Sequence, residues 1–144
     1  MTAENSFVAE NNITRVSAMQ LINYFINRDT KSRNYMLEEV KKLKNKNYKL
    51  YIGTHQVLEK GQRLWFIENF NDYFLDMFTS YNIGYMKSEV EFFNEVSERI
   101  GIEKSETILI DDKQKNVDTA ISAGWQGYLY ESFDKIKSEL FERL

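Results

Sequence analysis

The sequence has 144 residues, a length typical of a single domain, and 42% of them are hydrophobic, which is enough to build a core. A formal net charge of −3 gives no electrostatic reason to expect nucleic acid or an anionic membrane as a partner. The sequence contains no cysteine, which excludes a disulfide framework or a thiol nucleophile, and it has no apolar leader, so we expect a cytoplasmic protein.

The hydrophobic pattern, followed along the chain, predicts helices and short strands after a polar segment at residues 1–12. Boundaries are set by turn residues such as asparagine and glycine. In chain order, we predict helices at 17–26 and 35–46, a strand at 48–53, a helix at 56–69, a strand at 75–80, a helix at 88–100, a strand at 107–111, a helix at 114–123, a strand at 127–130 and a helix at 132–143.

Strands that alternate with helices of this length indicate an α/β fold, a Rossmann-like three-layer sandwich with a mostly parallel sheet. In such a sheet, ligands bind beyond the carboxyl ends of the strands. This rule selects three places, which should lie along one edge: Thr54 with His55, the region after Ser80, and Asp111 with Asp112.

Two adjacent carboxylates, Asp111 and Asp112, end a short apolar run. Like charges side by side repel each other, so such a pair usually holds a divalent cation or meets a fixed positive charge. Oxygen ligands suit Mg²⁺, which keeps several waters and takes one or two protein carboxylates. Because side chains alternate along a strand, we expect one carboxylate to bind the metal and the other to orient its surroundings. The alternative is that Asp112 caps the helix that begins near Lys113.

Lys87 lies at the predicted start of a helix, where a positive charge opposes the helix dipole. An anion or the aspartate pair would compensate this charge, and the alternative is a solvated lysine. Thr54 follows a buried strand and could donate its hydroxyl to an oxyanion or cap the next helix. His55, the single histidine of the sequence, is expected at the same edge.

These residues, in this order, resemble the haloacid dehalogenase-like (HAD) hydrolases, in particular the phosphatase-type subfamily whose fourth motif is a strand ending in Asp-Asp. The stretch YIGTHQ is similar to the family's second motif. The stretch GYMKSEVEFFNEVSERIGIEKSETILIDDKQKNVDTAISAGWQGYLY is similar to its third and fourth motifs, in the correct order and spacing. The resemblance covers roughly residues 35–132.

The resemblance implies a hydrolase that acts on a small phosphate ester with Mg²⁺. It implies that Thr54 binds the transferred phosphoryl group and that Lys87 stabilises its charge. It also implies that Asp112, supported by Asp111 and Asn116, holds the metal.

Two positions depart from the family pattern. Ser88 stands where proline usually follows the lysine, and His55, a predicted phosphate-binding residue, stands where asparagine is frequent. Neither departure removes a reacting group.

The family's first motif, Asp-x-Asp at the end of the first strand, supplies the nucleophile, and this sequence contains no Asp-x-Asp. The nearest match is FVAENNIT, residues 7–14, with Glu10 and Asn12 at the two aspartate positions. Glutamate is too long for in-line attack, and an amide cannot shuttle protons. The alternative, which we favour, is that residues 1–34 are a cap-domain remnant and that residues 35–144 form the core domain, with the first strand missing or replaced.

A missing first strand would leave two buried strand edges without partners. We therefore expect the position of the first strand to be filled by residues 7–16, by a second copy of the chain or by a separate complementing segment. The alternative is that the remaining strands close up in a new order. The chain alone is then expected to bind metal and phosphate without hydrolysis. A second hypothesis is a non-catalytic binding or assembly module that keeps this site. A receiver-like signalling domain is disfavoured, because its acidic pair follows the first strand.

Overall fold

The computed structural model describes residues 15–22, 30–54 and 70–144 of the chain. The helix predicted at 56–69, the FVAENNIT stretch at 7–14 and His55 lie outside these residues.

Within these described residues, five parallel strands form one sheet in the order β3-β2-β1-β4-β5. This order places the first strand in the centre, with the second and fourth strands on either side of it. The strands are β1 (Ala18–Ile22), β2 (Lys49–Thr54), β3 (Asp76–Thr79), β4 (Thr107–Asp111) and β5 (Gln126–Leu129).

In the described part of the chain, helices cover both faces of the sheet. They are α1 (Thr30–Asn45), α2 (Ser80–Ile83), α3 (Val90–Ile100), α4 (Gln114–Ser122) and α5 (Phe133–Glu139). Single 3₁₀ turns occur at Phe70–Asp72, Lys104–Glu106 and Phe141–Arg143. Within the described ranges, no helix combines the length and apolarity needed to cross a bilayer.

The central strand corrects the predicted helix at 17–26, because residues 18–22 pair with β2 and β4. Met19 and Leu21 pack on one face of the sheet and Ala18 packs on the other, and all three are fully buried. A strand buried on both faces shows a nearly continuous apolar run, which hydrophobic periodicity does not distinguish from a buried helix.

The first-strand slot is therefore occupied by this chain's own residues 18–22. The expectation that the first strand is missing or replaced was therefore wrong, and none of the alternatives considered for its position, residues 7–16 among them, placed residues 18–22 there. The core extends beyond the boundary predicted at residue 35, because β1 belongs to the sheet and α1 begins at residue 30.

One face of the sheet is covered by α1 and α5. The α1 helix buries four apolar residues, which pack with the end of the chain against the sheet. The helix contributes Met36, Leu37, Val40 and Leu43, and the end of the chain contributes Ile136, Leu140 and Phe141.

The other face is covered by α3 and α4. Phe92, Phe93 and Val96 of α3 pack with Ala120 of α4 against Leu109 and neighbouring sheet residues. Each buried large side chain contributes about 1.5–3 kcal/mol relative to exposure. Two helical layers around a parallel sheet give the predicted three-layer α/β sandwich.

Candidate functional site

The predicted site residues lie at the carboxyl edge, the edge of the sheet where the parallel strands end. Thr54 is the last residue of β2 and Asp111 is the last residue of β4. These two strands flank β1, so both residues border the end of the central strand. Both are buried, with exposures of 3% and 1%.

Lys87 joins the two flanking strands through its ammonium group. Its Nζ donates a hydrogen bond to Asp111 Oδ2 at 2.7 Å and another to the carbonyl oxygen of Gly53 at 3.3 Å. Gly53 lies on β2 and Asp111 on β4, so the ammonium spans the end of β1. The side chain of Lys87 is only 4% exposed, which makes this a buried ion pair rather than the solvated lysine of the alternative interpretation.

The loop between β3 and α3 carries Lys87 to this position. Gly84 has a φ of 88°, a left-handed conformation that favours glycine, and it ends the short helix α2. Lys87 then precedes α3, which begins at Val90 with Glu89 as its N-cap.

The carboxylate of Asp111 is held by three donors. Its Oδ1 accepts a hydrogen bond from the backbone N–H of Lys113 at 2.9 Å. Its Oδ2 accepts from Lys87 and from Asn116 Nδ2, the latter at 3.3 Å. Asn116 lies near the start of α4 and is buried. Asp111 therefore orders the start of α4.

Asp112 differs from its neighbour because it is exposed. The N-cap residue of α4 is Lys113, and no side chain caps the helix, so Asp112 does not have the capping role of the alternative interpretation. Partial burial, followed by the negative charge of Asp111, raises the pKa of Asp112. Burial lowers the pKa of Lys87, although the charge of Asp111 opposes this shift.

The two carboxylates at this edge, Asp111 and Asp112, fit a magnesium ion that keeps most of its water ligands. Mg²⁺ needs only one or two carboxylates, and its positive charge relieves the repulsion between Asp111 and Asp112. Both Asp111 oxygens already accept hydrogen bonds, which leaves Asp112 as the main candidate ligand. Over the described ranges, no group of three or more His, Cys, Asp or Glu residues could form a metal site with protein ligands alone.

Thr54 follows Gly53, whose carbonyl oxygen accepts the hydrogen bond from Lys87. Its register partner on β3 is Thr79. The Thr79 hydroxyl already accepts a hydrogen bond from the backbone N–H of Asn82 at 2.9 Å, in a capping box that begins α2. Thr54 lies beside the glycine that accepts the bond from Lys87, so its hydroxyl lies at the same edge of the sheet as the ion pair.

Two residues beside this site, Gln20 and Gly53, were not predicted from the sequence. Gln20 is buried in β1, and the backbone of Gly53 accepts the bond from Lys87. The signal for Gln20 was a single polar residue within the apolar run 18–22. No sequence signal marked Gly53, because its role depends on which strands are neighbours.

The sequence directly after β1 carries no carboxylate. Residues 23–28 read Asn-Tyr-Phe-Ile-Asn-Arg, and the first acidic residue beyond the strand is Asp29. The stretch FVAENNIT ends before β1 begins, so Glu10 and Asn12 do not follow the strand in sequence, as a first motif would.

Solved structures with this fold include an uncharacterized protein from Corynebacterium glutamicum, with a TM-score of 0.76 and 18% identity over 89% of this chain and 94% of that one. They also include a wild-type HAD family enzyme from Bacteroides thetaiotaomicron in complex with magnesium and inorganic phosphate. That comparison has a TM-score of 0.63 and 26% identity, and it covers 72% of this chain and 56% of the enzyme.

Among curated proteins, the chain is similar to flavin mononucleotide hydrolase 1, chloroplastic, from Arabidopsis thaliana, with 27% identity over 135 residues. This match covers 82% of the chain and 54% of the relative, so the chain spans about half the length of that protein. Residues 2–128, most of the chain, match the family described as haloacid dehalogenase-like hydrolase. The chain therefore belongs to the haloacid dehalogenase-like hydrolase family.

Proposed function

We propose that this chain binds Mg²⁺ and the phosphoryl group of a small phosphate ester at the carboxyl edge, and that it does not hydrolyse the ester by itself. The observation that carries the proposal is the buried ammonium of Lys87, bonded to Asp111 and to Gly53 across the end of β1. A buried charge is costly to keep, so its position at the ligand-binding edge of an α/β sheet favours a binding role.

Each residue of the site has a defined part in this proposal. Asp112 would hold the metal, with Asp111 and Asn116 orienting the surroundings. When bound, Mg²⁺ would supply positive charge that neutralises phosphate oxygens. Lys87 would add a second positive charge, and the Thr54 hydroxyl would donate a hydrogen bond to a phosphate oxygen.

The absence of turnover rests on the sequence after β1. In this family, covalent phosphoryl transfer uses a carboxylate that follows the first strand and lies in line with the phosphorus atom, and residues 23–28 provide none. Asp111 does not replace it, because both of its oxygens accept hydrogen bonds from neighbouring donors. The same reasoning supports the second candidate function, a binding or assembly module in which the bound phosphate is the signal rather than the substrate.

Flavin mononucleotide is the first ester to test, because a relative with 27% identity is named as its hydrolase. Inorganic phosphate is the second ligand, because a solved relative with 26% identity was crystallised with magnesium and inorganic phosphate. A preference for flavin mononucleotide over inorganic phosphate would show that the ester group is also recognised.

The test is isothermal titration calorimetry with each ligand, with Mg²⁺ or with EDTA. We expect binding that requires Mg²⁺, that is lost in Asp112→Asn and Lys87→Met, and that is unchanged in Asp72→Asn. Asp72 is an exposed control residue that precedes β3 and so lies toward the opposite edge of the sheet. Parent protein that binds neither ligand would overturn the binding proposal.

Release of phosphate from p-nitrophenyl phosphate tests the second part of the proposal. We expect no turnover above the buffer rate. Turnover that Asp112→Asn abolishes would show that the chain has a nucleophile, and it would refute the proposed inactivity.

A further inference from the structure

Gln20 is a buried polar residue in the middle of the central strand, and only 1% of it is exposed. Neither its Nε2 nor its Oε1 atom has a hydrogen-bond partner among the residues that the structure describes. Buried amide atoms in folded proteins are nearly always paired with protein groups or with ordered water, because an unpaired one is destabilising. Gln20 therefore needs a partner that can both donate and accept.

The amide of Gln20 packs against Gly53. A Cβ atom built on Gly53 would lie 2.0 Å from Gln20 Nε2 and 2.5 Å from its Cδ, so only glycine leaves room for the amide. Side chains alternate along a strand, and the pairing of Gln20 with Leu109 therefore places Gln20 on the same face as Asp111. The amide thus approaches Gly53 from the face that carries the ion pair.

Lys87 approaches the same glycine. An ammonium group has three N–H donors, and the recorded acceptors of Lys87 are Asp111 Oδ2 and the Gly53 carbonyl oxygen. Its third N–H is a buried donor that also requires an acceptor. Two polar groups with unmet hydrogen bonds, from different parts of the chain, therefore converge on Gly53.

We propose that one buried water molecule binds between the Gln20 amide and the Lys87 ammonium. Water can accept from Lys87 and from Gln20 Nε2 and can donate to Gln20 Oε1, so one molecule supplies partners to both groups. A ligand larger than water does not fit beside this amide, because Gln20 is 1% exposed.

This water makes Gln20 a positioning residue. Through the water, Gln20 connects the ammonium of Lys87 to the central strand by hydrogen bonds. The ammonium already bonds to the two flanking strands. The effect of this water-mediated contact on phosphate binding rests on the proposed function, whereas the water site itself does not.

The direct test is an NMR experiment on the ¹⁵N-labelled full chain. We expect a nuclear Overhauser effect between the Gln20 side-chain amide protons and a slowly exchanging water. The amide of Gln126 is the internal control, because it donates to the carbonyls of Arg15 and Ser105 at 2.9 and 2.8 Å. The absence of a water signal at an assigned Gln20 amide would overturn the proposal.

Urea unfolding of Gln20→Met gives a second test with a defined sign. With the water in place, the substitution removes an amide that has hydrogen-bond partners and leaves the third N–H of Lys87 without an acceptor. The urea midpoint of unfolding should therefore fall, as we also expect for Gln126→Met. Without the water, the substitution removes an unsatisfied amide, so the midpoint rises. A higher midpoint would therefore also overturn the proposal.

Phosphate binding separates this inference from the proposed function. We expect Gln20→Met to weaken the binding of inorganic phosphate with Mg²⁺ by about tenfold, the value of one hydrogen bond. Parent protein that shows the water signal but binds no phosphate would refute the proposed function and leave the water site standing. Parent protein that binds phosphate but shows no water signal would refute the water site and leave the proposed function standing.

Discussion

Replacing Lys87 by methionine is expected to destabilise the protein by about 3–5 kcal/mol, because the carboxylate of Asp111 would stay buried without its partner. The pair is 2.7 Å long, with side-chain exposures of 4% and 1%. This loss is a large part of the roughly 5–15 kcal/mol that stabilises a typical domain.

The matched control is Lys135→Met. Lys135 pairs with Glu131 at nearly the same distance, 2.8 Å, but the two side chains are 43% and 54% exposed. Exposed pairs contribute about 0–1 kcal/mol, because water competes for both charges. The two substitutions are chemically the same, so their difference measures the effect of burial.

Urea unfolding of both variants, followed by tryptophan fluorescence, tests the difference. Trp125 is buried beside Phe93 and reports on the core. With a slope of about 2 kcal/mol per molar urea, Lys87→Met should lower the midpoint by about 2 M and Lys135→Met by less than about 0.5 M. If the two midpoints agreed within experimental error, the ion pair at the carboxyl edge would be solvated and the reasoning refuted.

A double variant completes the experiment. Burial lowers the pKa of Lys87 despite the neighbouring carboxylate, so desolvation outweighs the attraction within the pair. The double variant Lys87→Met with Asp111→Asn removes both charges. Its loss in free energy of unfolding should therefore be smaller than the sum of the losses in the two single variants. Additive losses would indicate that the two groups do not interact.

Three further predictions concern backbone contacts and the metal. Gly53→Ala should cost about 1–3 kcal/mol in urea unfolding, because its Cβ would collide with the Gln20 side chain, and adding Gln20→Ala should restore most of the loss. Gly127→Ala should cost a similar amount by thermal unfolding, because its Cβ would lie 2.7 Å from Val117 Cγ1 and push α4 away from β5. Excess Mg²⁺ should raise stability by about 2.7 kcal/mol at a hundred times its Kd. Asp112→Asn should abolish that gain and, in EDTA, be at least as stable as the parent, because the pKa of Asp112 is raised and its charge is disfavoured.

The sequence predicted the strands and helices around the acidic pair well. The run 107–111 was confirmed as a strand with the predicted bounds, because an apolar stretch that ends in two aspartates can only stop at the edge of the core. The helix predicted at 35–46 was also confirmed, although it begins earlier, at residue 30. Its apolar residues recur at helical spacing and pack on one face of the sheet.

The central strand was not predicted, because residues 18–22 are buried on both faces and their apolar run also fits a helix. The bond from Lys87 to Gly53 was also beyond sequence reasoning. It depends on β2 and β4 being the two neighbours of β1, and that order arises from tertiary pairing rather than from any local pattern.

The position of β1 also affects how the protein folds during synthesis. Ala18 pairs with Thr107, which lies 89 residues later in the chain. At about 5–20 residues per second, the ribosome needs roughly 5–20 s to make β4 after it has made β1. During that time one side of an apolar strand has no partner, so the nascent chain offers chaperones, or other nascent chains, a backbone edge that the finished protein conceals.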